Sequence, residues 1–337
     1  MTARGPFRAG ERVQLTSERG RLNTVTLAAG GAFHSHRGVV AHDEIIGRPD
    51  GSVVTASNGD EFLCLRPLLK DFALSMPRGA AIVYPKDAAQ ILAHADVFPG
   101  ARVVEAGVGS GALSMWLLRA IGPGGSLLSI ERREEFADIA RANVEAYFLS
   151  GSGAAPENWR IELGDFATAL PGLAQAGSVD RIVLDMLAPW ECIDAAAEAL
   201  APGGVLCCYV ATVTQLSRTT EAIRATRRFT AAEASETLVR TWHVEGLAVR
   251  PDHRMNAHTG FLLFARRLAP GVLPLERKRR ASKEDYREAD VEAWTPSAED
   301  AWDASALGGR ETSPKRARKA ARQAAAAADA ARDSPVE

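Results

Sequence analysis

The sequence predicts an α/β protein: a mostly parallel sheet covered by helices on both faces, a small antiparallel β-domain before it, and a disordered tail after it. Three observations lead there. From about residue 85 to 267, short apolar strands alternate with amphipathic helices. From 7 to 70, closely spaced short strands are broken by turn signals. From Gly271 to Glu337, six of 67 residues are Leu, Ile, Val or Phe, too few to offset the entropy of ordering the segment, so most of it is expected to be disordered, with parts transiently helical because Ala and Arg favour helix. The expected divisions are residues 1–75, 76–270 and 271–337.

In the first division, Arg12 to Leu15, Thr24 to Leu27, Arg37 to Val40, Ser52 to Thr55 and Glu61 to Leu65 read as strands. Arg48-Pro49-Asp50-Gly51 and Ser57-Asn58-Gly59-Asp60 supply turn chemistry between them. Strands this short suggest a small barrel or sandwich. In the second, Arg102 to Glu105 is a strand and Ser110 to Ile121 a helix, with Leu113, Leu117 and Ile121 on one face. Leu127 to Ile130 is the next strand. Glu134 to Phe148 is a helix with an apolar stripe of Phe136, Ile139, Ala140, Val144 and Tyr147. Strands follow at Trp159 to Leu163 and Arg181 to Leu184. Then come a helix from Glu191 to Leu200, a strand from Val205 to Val210 and a helix from Thr214 to Thr226. Leu238 to Val249 and Gly260 to Arg266 read as a closing antiparallel hairpin.

Composition narrows the function. The net charge of −2 argues against a uniformly basic nucleic-acid coat but allows local patches. The tail carries 13 basic and 13 acidic residues, so it does not mask a basic body. Its basic clusters, Arg277 to Arg280 and Lys315 to Lys319, are candidate RNA contacts. So are Arg4, Arg8, Arg12, Arg19 and Arg21 near the N-terminus. No window approaches the about 18 apolar residues of a membrane span. The first residues lack a secretion signal, so a cytoplasmic protein with no membrane partner is expected. The four cysteines, at 64, 192, 207 and 208, have neither zinc-ligand nor redox spacing, so no metal is expected.

The most informative run is Val103-Val104-Glu105-Ala106-Gly107-Val108-Gly109-Ser110-Gly111-Ala112-Leu113, between a strand and a helix. Its glycines permit a sharp turn and close approach to a ligand, and the free N–H groups of the helix start favour an anionic group. Glu131 ends the next strand, where an acid can hold two ribose hydroxyls. Asp165 follows the third strand and Asp185 ends the fourth. Strand ends of an open α/β sheet converge on one crevice.

The spacing is Gly-x-Gly-x-Gly preceded by Glu105, not the Gly-x-Gly-x-x-Gly of dinucleotide sites. It resembles motif I of the class I S-adenosylmethionine-dependent methyltransferases. That resemblance, over roughly residues 85–267, implies a Rossmann-like seven-stranded sheet and S-adenosylmethionine as cofactor. It places Glu105 near the methionine end, Glu131 on the ribose and Asp165 at the adenine. Gly107, Gly109, Ser110, Gly111, Ala112, Leu113, Phe136 and Asp185 complete the implied cofactor set. A more specific resemblance rests on Tyr84-Pro85-Lys86-Asp87, the glycine loop, Leu184-Asp185-Met186-Leu187-Ala188-Pro189-Trp190-Glu191, Tyr209 to Leu216, and His258-Thr259-Gly260-Phe261. Together these resemble the bacterial and archaeal tRNA (adenine-58-N1)-methyltransferases, their actinobacterial branch above all. This implies methylation of N1 of adenine 58 in the tRNA T-loop by a homotetramer.

The chemistry adds its own constraints. Methyl transfer is an in-line displacement in which the enzyme mainly positions donor and acceptor. Adenine N1 has its own lone pair, so no covalent nucleophile is needed. A carboxylate at the N6 amino group orients the base and stabilises the developing charge; Asp185 is the first candidate and Tyr84 the second, as a stacking or positioning group. Trp190 is a candidate stacking platform or a packing residue behind Pro189, and His258 and Thr259 are candidates to line the acceptor pocket. Two alternatives stay open: a protein L-isoaspartate O-methyltransferase-like enzyme, and a non-catalytic tRNA-binding protein.

Overall fold

The computed structural model describes residues 4–36, 38–275 and 313–332. The N-terminal strands are β1 (Arg12–Ser17), β2 (Leu22–Thr26), β3 (Ala32–Ser35), β4 (Gly38–Ala41), β5 (Ser52–Thr55) and β6 (Glu61–Leu65). Four of them form an antiparallel sheet ordered β2-β1-β6-β5, and β3 pairs with β4 as a separate ribbon. Alternation sends one side of each strand inward, and Phe7, Val13, Leu15, Leu27, Val40, Ile45, Val54, Phe62 and Cys64 close a core of their own. β3 is absent from the expected strands. Arg12, one of the candidate RNA contacts, spans the junction. Its guanidinium lies 4.6 Å from the Phe72 ring centroid and donates to the Ser75 carbonyl at 3.1 Å.

Two short helices follow, α1 (Leu69–Ser75) and α2 (Pro85–His94), the second opening on proline at its first position, where its missing N–H costs nothing. Then come β7 (Arg102–Ala106), α3 (Ala112–Ile121), β8 (Ser126–Glu131), α4 (Glu134–Ser152), β9 (Trp159–Leu163), α5 (Phe166–Leu173), β10 (Val179–Asp185), α6 (Ile193–Ala199), β11 (Leu200–Val210) and α7 (Val213–Thr226). β12 (Glu233–Ser235), β13 (Trp242–Glu245), β14 (Ala248–Pro251) and β15 (Phe261–Arg266) complete the body. The main sheet has seven strands ordered β12-β15-β11-β10-β7-β8-β9. β11, β10, β7, β8 and β9 are mutually parallel, and β15 is antiparallel to both β11 and β12. One face carries a core built with Phe72, Ile91, Met115, Leu117, Ile121 and Val144. The other carries Phe166, Leu170, Ile182, Leu184, Ile193, Leu206 and Ile223. This is the doubly covered seven-stranded sheet that the sequence predicts.

One expectation is corrected. The partner of β15 is the three-residue β12, not Leu238 to Val249; Trp242–Glu245 and Ala248–Pro251 form their own two-stranded ribbon outside the sheet. Within the tail, one of the segments expected to favour helix is helical and docked. Pro314–Arg332 forms helix α8, which packs along α4. Its Ala317, Ala320, Ala324, Ala328 and Ala331 are buried at three- and four-residue spacing. Alanine adds little to a hydrophobicity count, but its small side chain lets helices approach closely and it favours helix intrinsically. Gly79 packs at one end of this contact, against Phe136, Ile139 and Ala317; Arg332 forms an ion pair with Glu145 of α4 at the other. Arg37, residues 276–312 with Arg277 to Arg280 among them, and residues 333–337 lie outside the described residues.

Candidate active site

Backbone register brings the acids together. β7 and β10 pair Ala106 with Leu184, β7 and β8 pair Ala106 with Ile130, and β10 and β11 pair Asp185 with Tyr209. Glu105, Glu131, Asp185 and Tyr209 therefore stand at the carboxyl ends of four neighbouring strands, the place where open α/β sheets bind ligands.

The loop between β7 and α3 fits tightly among them. Gly107 has φ +84°, and a Cβ there would lie 1.7 Å from the Asp185 carbonyl oxygen. Gly111 has φ +81°, and a Cβ there would stand 3.2 Å from Ala140 Cα of α4. Both the left-handed backbone and the space require glycine at these two positions. At Gly109 the surroundings are open, with the Ala81 carbonyl 3.9 Å from a would-be Cβ. Asn143 of α4 fixes the loop by donating to the Ser110 carbonyl at 3.0 Å and to the Pro77 carbonyl at 2.8 Å.

Glu131 accepts from the backbone N–H of Gly109 and of Arg133, each at 3.2 Å, and its carboxylate lies 3.5 Å from the Arg133 guanidinium. Glu105 is 1% exposed. One of its oxygens accepts from the Ser114 and Ser129 hydroxyls at 2.7 and 2.8 Å; the other, Oε1, is buried with no hydrogen-bond partner. Burial raises the Glu105 carboxyl to about 7, the two serines pulling it down and the Glu131 charge pushing it up. Asp185, half-buried, is also raised to about 7, by burial first and then by Glu105 and Glu131. Three carboxyl groups thus crowd one crevice, and the arrangement favours a ligand bearing positive charge.

Other predicted residues fall around this centre. Asp165 caps α5 by accepting from the Thr168 N–H at 3.2 Å and forms an ion pair with Arg132. Burial alone would raise its carboxyl, but the Arg132 hydrogen bond and the helix N–H groups outweigh that and lower it. Ser110, Ala112 and Leu113 are all buried at the start of α3, and the Ser110 hydroxyl has no hydrogen-bond partner. Phe136 is 2% exposed, closed off by Gly79 and by the Arg133 guanidinium 3.8 Å from its centroid; it packs behind the crevice and presents no open face to it. Tyr84 is half-buried and caps α2, beside the Ile82–Val83 core residues. The Trp190 ring lies 4.3 Å from the Arg218 guanidinium, so that cation occupies a face read as a base platform. His258 is tied at both nitrogens, to Glu236 at 3.0 Å and to the Ala211 carbonyl at 2.9 Å. The Ala211 carbonyl and then Glu236 raise its pKa.

One cluster escaped the sequence reading. Asp87, with no exposed surface, forms an ion pair with Lys86 at 2.7 Å and accepts from Thr259 and Tyr209 hydroxyls. Gly260 makes room for it, since a Cβ there would lie 2.4 Å from the Tyr209 ring. Asp87 reads from sequence as an ordinary acid in a first helical turn. The signal lay in the three separate runs, at 84–87, 209–216 and 258–261, which the fold brings to one place.

Comparison with known proteins places this architecture. Residues 5–54 match the family described as TrmI-like N-terminal, and residues 63–249 match the tRNA methyltransferase complex GCD14 subunit family. The tRNA (adenine(58)-N(1))-methyltransferase TrmI of Thermus thermophilus is 34% identical over 253 residues, 75% of this chain and 95% of that protein. The TrmI structure from Aquifex aeolicus superposes with a TM-score of 0.69 at 27% identity, covering 79% of this chain and 100% of the other. A SAM-dependent O-methyltransferase from Thermotoga maritima gives a TM-score of 0.71 at 32% identity, covering 82% and 96%. With more than half of its length in the GCD14 match and the TrmI sequence nearly spanned, the chain belongs to the tRNA (adenine-58-N1)-methyltransferase family.

Proposed function

We propose that this chain transfers a methyl group from S-adenosylmethionine to N1 of adenine 58 of tRNA. The observation that carries the reading is the ring of carboxyl groups, Glu105, Glu131 and Asp185, around a loop in which Gly107 and Gly111 have no room for a side chain. S-adenosylmethionine, when bound, supplies a methyl group on a positively charged sulfur. The residues fit such a ligand: a cradle of backbone at Gly107–Gly111, an orphaned carboxylate oxygen on buried Glu105, and a crevice of negative charge. The names of the relatives supply the acceptor.

Each residue then has a task. Glu131, held rigid by the Gly109 and Arg133 N–H groups, accepts from the ribose hydroxyls. Asp165 lies at the end of the third strand, where the adenine of the donor is read. Glu105 holds the methionine end and complements its cationic sulfur. Asp185 accepts from the N6 amino group of the target adenine, orienting N1 toward the methyl and stabilising the positive charge that the ring acquires. Guanine presents an acceptor where adenine presents that amino group, so the same carboxylate discriminates against it. Tyr84 positions the extruded base. The Lys86–Asp87–Thr259–Tyr209 cluster fixes the wall beside Asp185. The proposed assembly is a cytoplasmic homotetramer, as the resemblance implies.

The test is transfer of label from methyl-labelled S-adenosylmethionine into bulk tRNA, with the modified nucleotide mapped. Label at adenine 58 supports the reading. Label only in isoaspartyl peptides, or no binding of the donor, overturns it.

A further inference from the structure

We propose that the exposed face of α8 is a docking surface for tRNA phosphates; this rests on the tRNA reading above. Lys315, Arg316, Arg318, Lys319 and Arg322 are all exposed, and among the described residues none of them is paired with a carboxylate. They fall within about 10 Å of helix length. The opposite face, Ala317, Ala320 and Ala324, is fixed against α4, so the cations have one defined direction.

Two physical arguments point to a polyanion. Five cations in the first turns of a helix, with no acid among them, oppose the helix macrodipole and repel one another. That arrangement costs stability unless an anion is present. Second, the crevice itself is negative, and the whole chain carries −2. An RNA substrate must be drawn to it by cations placed elsewhere. α8 is suitably placed. Its Ala317 contacts Gly79, two residues before Ala81, whose carbonyl borders the glycine loop. Arg12 and Arg66, by contrast, are engaged with Phe72, Ser75 and Glu11.

The experiment compares the full chain with the variant Lys315→Gln, Arg316→Gln, Arg318→Gln, Lys319→Gln, Arg322→Gln. Glutamine keeps helix propensity and the sites are solvent-facing, so folding is retained. Binding of unmodified tRNA is measured from low to high salt, together with methyl transfer and donor binding. The expected result is an at least tenfold weaker tRNA Kd, a log Kd against log salt slope reduced by about 3–4, and unchanged kcat and donor Kd. The charge-conserving variant Lys315→Arg, Lys319→Arg, with the three arginines kept, retains the wild-type values. An unchanged tRNA Kd and salt slope overturns the proposal, whether or not the chain methylates tRNA. If the unaltered chain binds tRNA through this helix but transfers no methyl group, the functional reading fails and the docking surface stands.

Discussion

Asp87 and Thr259, 172 residues apart in the chain, are joined by a hydrogen bond in which the threonine hydroxyl donates to Oδ2 at 2.5 Å. Lys86 closes the triangle, donating to Asp87 at 2.7 Å and to Thr259 at 2.5 Å, and the Tyr209 hydroxyl donates to Asp87 at 3.2 Å. Because Tyr209 pairs in register with Asp185, this buried charge pair ties the start of α2 and the approach to β15 to the Asp185 end of β10.

Removing one partner of a buried ion pair leaves the other uncompensated. Asp87→Asn strands the Lys86 ammonium, whose side chain is 5% exposed. The variant is expected to lose about 3–5 kcal/mol of stability. Calorimetric unfolding decides it: a melting temperature equal to that of the unaltered chain rules out the charge pair as a structural anchor.

Gly107→Ala should fold but bind S-adenosylmethionine at least tenfold more weakly. The new methyl collides with the Asp185 carbonyl, which forces loop and strand apart at the proposed donor cradle. Titration calorimetry with the donor checks this, and normal affinity would show that the loop tolerates a side chain.

Acidity should act in opposite directions on stability and on donor binding. Glu105 and Asp185 are raised from ordinary values of 4.5 and 3.8 to about 7. Their neutral forms favour the folded, ligand-free protein, so that contribution is full below about pH 4 and is lost as pH rises through 7. A sulfonium ligand favours the ionised forms. Donor affinity should therefore increase about tenfold from pH 6 to pH 8, with proton release on binding. Glu105→Gln should flatten that profile while raising the ligand-free melting temperature at pH 8 by about 2–4 °C. A pH-independent donor Kd would remove the coupled acids from the account.

Ala324→Glu places a charge on the buried stripe of α8 and should release the helix from α4. Limited proteolysis would then cut within 314–332 while the body stays intact. Resistance equal to that of the unaltered chain would mean that the stripe does not hold the helix.

The parts of the fold that sequence made legible are those where geometry dictates residue type. Gly107 and Gly111 must be glycine because φ is positive and Asp185 or Ala140 occupies the space, so the loop was readable. Glu131 and Asp185 were readable because parallel strands end together. β12 was not, since Glu233-Ala234-Ser235 is exposed and lacks β-branched residues, whereas the Val- and Trp-bearing ribbon at 242–251 imitates a sheet strand. The helical tendency of α8 was readable, but its docking was not, because its packing rests on smallness and not on apolar bulk. The places of Trp190 and His258 depended on Arg218, Glu236 and Ala211, which no local pattern links to them.

The central claim is that the carboxylate of Asp185 presents the adenine to the donor. Single-turnover methyl transfer to tRNA by Asp185→Ala, with S-adenosylmethionine affinity measured in parallel, tests it most directly. The account predicts a loss of at least about 100-fold in transfer rate, since one preorganised electrostatic contact contributes that much, with donor binding weakened but measurable. Turnover near that of the unaltered chain would contradict it.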